Sequence, residues 1–172
     1  RREALRAIMP ENSVIAVFAY PTRNFSNDVD YLYHQNPDLY YFTGYKEPDA
    51  LILIFKDVQK DGKGNSYKEL FFVQKKNAQQ ESWTGKRLGV EGAKEKLGIH
   101  MSFNGSDFKD YEIDFSKFKS IIYSAPPTMV PSKIESANLA GLFLSFQKKA
   151  NISADNATEA NAARRTYNTL TG

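Results

Sequence analysis

Two stretches decide the fold: VIAVF at Val14–Phe18 and ALILIF at Ala50–Phe55. Neither alternates apolar with polar residues, so each reads as a strand covered on both faces rather than one facing water. LFFV at Leu70–Val73 is a third such run. Between the second and third lie Asp61-Gly62 and Gly64-Asn65, residues that favour tight turns, so these two strands are expected to be antiparallel hairpin partners. A further strand is expected over Lys119–Ser124, where Ile121, Ile122 and Tyr123 fall together.

Helical spacing fills the intervals. Leu5, Ile8 and Met9 share a face that Pro10 terminates, because proline disfavours helical backbone at the preceding residue. Val90, Ala93 and Leu97 repeat at helical spacing, with Gly98 placed to end the helix and Ile99 to pack back on it. Leu139, Leu142, Phe143 and Phe146 form the clearest apolar stripe, and Ser132 with Glu135 reads as a capping box ahead of it. The segment from Lys75 to Gly89, polar apart from Trp83, reads as a loop, and so does the connection through Asp114. Fully apolar strands, one antiparallel pair and interleaved amphipathic helices predict an α/β domain with a mixed sheet covered on both sides. A ferredoxin-like sandwich would need a more regular βαββαβ spacing.

At 172 residues the chain is long enough for one well-buried core. An apolar fraction of 41% and a charged fraction of 25% match ordinary globular domains. Residues 1–150 read as that domain. Residues 151–172 lose their large apolar side chains and read as a linker. The absence of cysteine removes thiol nucleophiles and thiolate metal sites. A net charge of +3, from 23 basic and 20 acidic residues spread along the chain, supports no nucleic-acid surface. No apolar run reaches membrane-spanning length, and the expected compartment is cytoplasmic. A first residue of Arg1 rather than Met reads as a trimmed chain.

RNFSNDVDYLYHQNPDLYYFTG, Arg23–Gly44, is too rich in rings, carboxylates and amides to have been chosen for packing alone. Asp28, Asp30, His34 and Asp38 are the only crowded set of oxygen and nitrogen ligands, but their spacing is not diagnostic of a metal. The plainer reading has Asp28 and Asp38 capping turns and His34 bonding locally. Tyr40 and Tyr41 are expected in the core. Trp83, followed by Lys86 and Arg87, reads equally as a surface anchor for a partner or as a buried ring. No phosphate loop, dinucleotide fingerprint, nucleophile elbow or zinc-peptidase helix motif occurs.

Two ordered motifs carry a resemblance: N-D-x-x-Y-x-Y-x-Q-x-x-D-x-Y-Y-F-T-G-Y-x-E-P-D-A at Asn27–Ala50, and W-x-G-x-R-L-G at Trp83–Gly89. Together they resemble the N-terminal domain of Xaa-Pro aminopeptidases, the aminopeptidase P branch of the creatinase and prolidase family. The resemblance implies a ribonuclease H-like α/β fold, with a mixed sheet and helices on both faces. It implies that no catalytic residue and no metal ligand lies in these residues. Two manganese ions are expected instead in a C-terminal metallopeptidase domain that would follow the linker, where metals about 3.5–4 Å apart activate a bridging hydroxide.

The expected substrates are peptides with proline second. The expected partners are that catalytic domain and further copies of the parent in a homo-oligomer, with neither nucleic acid nor membrane. The resemblance assigns Trp83 and Arg87 to substrate-cleft or interface contacts, and Asp28, Tyr31 and Gln35 to the domain's functional edge. His34 stands where many relatives carry arginine, and a titratable ring cannot replace that permanent, fork-shaped cation. The alternative is a peptide- or protein-binding module of the same fold without peptidase activity. A creatinase-type amidinohydrolase fits less well, given the W-x-G-x-R stretch.

Overall fold

The structure is a computed structural model, and it describes residues 1–21, 33–84, 86–126, 138–152 and 165–171. The elements are α1 (Arg2–Ile8), β1 (Ser13–Phe18), α2 (Pro37–Thr43), β2 (Leu51–Lys60), β3 (Ser66–Val73), α3 (Ala78–Thr84), α4 (Gly89–Leu97), β4 (Ser102–Asn104), two 3-10 helices (Gly105–Asp110 and Phe115–Lys117), β5 (Ser120–Tyr123) and α5 (Leu139–Lys149). Residues 165–171 form a last short helix, α6.

Five strands form one sheet in the order β4-β3-β2-β1-β5. β2 runs antiparallel to both neighbours, whereas β1 and β5 are parallel, as are β3 and β4. The carboxyl ends of β1, β3, β4 and β5 therefore share one edge of the sheet with the start of β2. This is the mixed sheet expected from the three apolar runs.

Alternate residues divide those runs between two cores, as strand periodicity requires. Ile15, Val17, Ile52, Ile54, Phe71 and Val73 face one core, together with Leu5, Leu39, Phe42 and Ala93 from α1, α2 and α4. Val14, Ala16, Leu51, Leu53, Phe55, Leu70 and Phe72 face the other, together with Leu142 and Phe146 of α5 and Phe108 and Phe115 of the 3-10 helices. The second core is built largely of rings, and Phe18 meets Phe143 and Phe146 edge to face at 5.3 and 5.5 Å.

Between Ile54 and Gln59 the β2–β3 register slips. Arg6 reaches in from α1 to bond the carbonyls this exposes: its Nε donates to Phe55 O at 3.1 Å and its Nη2 to Lys68 O at 3.2 Å. The same guanidinium pairs with Glu69, which also takes Arg2 Nε at 2.8 Å. A buried cation thus satisfies backbone acceptors that the ladder leaves unbonded.

Several elements differ from the sequence reading. Residues 37–43 form a helix where no helical period is visible. Its N-cap is Asn36, whose Oδ1 accepts Asp38 N at 3.0 Å; Pro37 supplies the first turn, and Gly44 ends it at φ +78°. The capping atom is therefore on Asn36 rather than Asp38. Tyr40 and Tyr41 are 46% and 52% exposed, not core, because this helix buries only Leu39, Phe42 and Thr43. Trp83 belongs to helix α3 rather than a loop.

The connection before Asp114 holds β4 and a 3-10 helix. α5 starts at Leu139 under an Asn138 cap whose side chain accepts Gly141 N at 2.9 Å; Ser132 and Glu135 lie outside the described residues. α4 ends as expected, with Gly98 at φ +68°. The tail, read as having no face to bury, buries Tyr167 against the first core.

Candidate functional site at the carboxyl edge of the sheet

Gln35 organises the carboxyl edge. Its Oε1 accepts Tyr20 N at 3.3 Å, where the chain leaves β1, and Asn36 N at 2.9 Å. Its Nε2 donates to Tyr45 O at 3.3 Å and Glu47 O at 2.7 Å, where the chain approaches β2. The Tyr33 hydroxyl donates to Tyr20 O at 2.6 Å and lies 3.0 Å from Gln35 Oε1. Asn36 Nδ2 donates to Phe18 O at 2.8 Å. One primary amide thus stitches together two strands that a long connection separates. Glutamine suits this because it offers a donor and an acceptor group on one rigid plane.

Glu47 carries the network onward. Its Oε2 accepts Leu88 N at 3.0 Å, just ahead of α4. Arg87 N donates to Glu81 Oε1 at 2.7 Å, and Arg87 Nη1 donates to Lys75 O at 3.0 Å. Burial pushes the Glu47 carboxyl above its ordinary range; the Leu88 N–H and the Arg87 charge pull it back, and Glu81 pushes it up again. Glu47 Oε1 is buried and hydrogen-bonded to no other described group, and the buried Tyr45 hydroxyl faces the backbone of Gln74. Burial, with Glu47 beside it, raises the Tyr45 phenol as well.

Asp49, held at φ +54°, completes the edge. Its Oδ2 accepts Gln74 Nε2 at 3.1 Å beyond β3, and its Oδ1 accepts Leu139 N at 3.0 Å at the start of α5.

Gln35 and Arg87 thus meet in one network through Glu47. Trp83 lies on α3 between Glu81 and Arg87; its side chain, with Asp28 and Tyr31, lies outside what the structure describes. Of the crowded ligand set, His34 is exposed and Asp38 accepts a hydroxyl from Tyr167 at 2.8 Å, while Asp28 and Asp30 are outside the described residues. Among the described residues no three His, Asp or Glu side chains converge as a metal site would require. The residues that sequence reasoning left without a role are Glu47 and Asp49. Their signal was present in the E-P-D-A string: two carboxylates flanking a proline at the entrance to a buried strand. Every bond described here ends on backbone or on another fixed group, so these side chains hold the backbone of this edge in place.

Comparison with known proteins agrees with this architecture. Residues 1–123 match the family model described as aminopeptidase P, N-terminal domain. The chain is 33% identical over 125 residues to Xaa-Pro aminopeptidase of Escherichia coli strain K12, covering 73% of this chain and 27% of the relative. It is 33% identical over 104 residues to Xaa-Pro aminopeptidase 3 of Dictyostelium discoideum, covering 60% of this chain and 19% of that one. Among solved structures, E. coli aminopeptidase P with the inhibitor Pro-Leu superposes with a TM-score of 0.64 at 26% identity, over 86% of this chain and 31% of that one. Proline aminopeptidase P II of Yersinia pestis gives 0.60 at 28% identity, over 74% and 28%. The chain therefore spans between about a fifth and a third of the length of the proteins it is similar to.

Proposed function

The chain belongs to the aminopeptidase P N-terminal domain family, and from that premise we propose that it is the non-catalytic, cleft-framing part of a manganese-dependent Xaa-Pro aminopeptidase. In this reading the parent removes the residue preceding proline from the N-terminus of peptides. The bond-breaking metals belong to a domain outside these residues, and this domain supplies oligomer contacts and one wall of the substrate cleft.

The observation that carries the reading is the joining of the two signature stretches. Residues 27–50 and 83–89 are distant in sequence, yet Glu47 Oε2 and Leu88 N are 3.0 Å apart. A network built on backbone acceptors holds a surface in place rather than attacking a bond, and a positioned wall is what substrate orientation needs. The described residues do not fit a dinuclear metal site, so no metal-dependent step is assigned to them.

The test is to express the gene's complete reading frame and assay release of the first residue from an Xaa-Pro-Yaa peptide, with and without manganese. Metal-dependent release by the complete protein, and none by the 172 residues alone, is the expected result. A folded, metal-loaded complete protein that releases nothing would overturn the reading in favour of a peptide-binding module.

A further inference from the structure

The parallel neighbours β1 and β5 send the chain to opposite faces of the sheet. β1 leads to α2, whose Leu39 and Phe42 sit in the first core; β5 leads to α5, whose Leu142 and Phe146 sit in the second. Where adjacent strands diverge in this way, a crevice opens beyond their carboxyl ends. Here Phe18, Tyr20, Asn36 and Asp38 line one side, and Ser124, Ala125 and Pro126 the other.

The chain itself walls part of the crevice, with Tyr167 and Asn168 of α6 lining it beside Asp38. Tyr167 of α6 is 5% exposed, and its hydroxyl donates to Asp38 Oδ2 at 2.8 Å. Leu170 packs, partly buried, against the first core. Burial and the Asp38 carboxylate both raise the phenol's pKa, so it stays a donor across the neutral range. A seven-residue helix does not persist alone in water, so α6 owes its helicity to this seat. Thr169 and Thr171 bond back to the carbonyls of Arg165 and Tyr167, at 3.0 and 2.8 Å, and leave the helix no other tie among the described residues as deep as Tyr167.

We propose that Asp38, at the crevice between the ends of β1 and β5, is a docking point for a tyrosyl hydroxyl, and that the chain's own Tyr167 engages it as a keyed joint that holds α6 against the sheet. The match to the family model ends at residue 123, so Tyr167 lies outside the part of the chain that the family model covers, whereas its partner Asp38 lies inside it. The Asp38 carboxylate selects a hydroxyl-bearing ring over phenylalanine, since an ionised acceptor gains from a donor and gains nothing from a ring edge. The inference stands independently of the peptidase reading.

Trypsin cleavage after Arg165 in the 172-residue chain tests it, because cutting requires the helix to leave its seat. The expected result is strong protection in the wild type relative to a synthetic peptide spanning residues 161–172. Tyr167→Phe, which keeps the ring, should be cut about tenfold faster than wild type. Tyr167→Ala should approach the peptide's rate, and Asp38→Asn should fall between wild type and Tyr167→Ala. Circular dichroism confirms that the rest of the domain is folded, and the isosteric Tyr167→Phe keeps the test readable if the alanine variant does not fold. Wild-type cleavage at the peptide's rate, or equal protection in Tyr167→Phe and wild type, would overturn the proposal.

Discussion

Glu47 accepts the backbone N–H of Leu88 at 3.0 Å, and this contact joins the two stretches of sequence most characteristic of the chain. The carboxyl is partly buried among Tyr45, Arg87 and Glu81, and burial raises its pKa above the ordinary 4.5. A carboxyl raised in the folded state holds its proton more tightly there. Its favourable contribution is complete below the unfolded pKa and is lost as pH rises through the folded one. Glu47→Gln keeps an acceptor for Leu88 N without the charge. The variant should match wild type below pH 4.5 and gain relative stability as pH rises above it, in urea titrations at stepped pH. Parallel stability curves between about pH 4 and 8 would contradict this assignment.

Gln35→Leu keeps the volume and deletes the amide that bridges Tyr20, Asn36, Tyr45 and Glu47. Four backbone groups lose a partner together, so unfolding in urea should show a loss of about 2–3 kcal/mol. A change below about 0.5 kcal/mol would place Gln35 among ordinary surface residues.

Arg6 has a side chain only 7% exposed and answers the broken β2–β3 register. Arg6→Ala strands Phe55 O and Lys68 O and leaves the Glu69 carboxylate to Arg2 alone, and should cost about 2–3 kcal/mol. Chemical denaturation measures it. Full stability in the variant would mean that the slipped register closes without help from α1.

Burial raises the phenols of Tyr33, Tyr45 and Tyr167 well above 10, each with a nearby carboxylate adding to the rise. Protons held more tightly in the folded state stabilise it fully below pH 10, and that stabilisation is lost as pH climbs past it. Phenolate absorbance from these three should grow only as circular dichroism reports unfolding. Their ionisation near pH 10 in an intact fold would show that water reaches them.

How far the sequence carried these conclusions depends on where each signal was written. β1, β2 and β3 were legible because unbroken apolar runs admit little else, and Gly98 ended α4 where a left-handed residue was needed. α2 was hidden because Tyr40 and Tyr41 point to solvent and blur its period, although Asn36-Pro37 and Gly44 spelled its two ends. α3 has no apolar stripe, and the three residues of β4 are too few to show a pattern. Gln35 was picked out by motif, but its partners are brought to it by the sheet and no local rule names them. Tyr167 was missed for the same reason: one ring in a polar tail gives no period, and its partner Asp38 lies 129 residues away.

Steady-state kinetics of Trp83→Ala in the complete protein test whether this domain frames a peptide rather than cutting it. On an Xaa-Pro-Yaa peptide the KM should rise roughly thirtyfold, the effect of losing an anchoring aromatic worth about 2 kcal/mol, with kcat nearly unchanged. A kcat lower by about a thousandfold at unchanged KM would place Trp83 in the bond-breaking step and contradict the framing role.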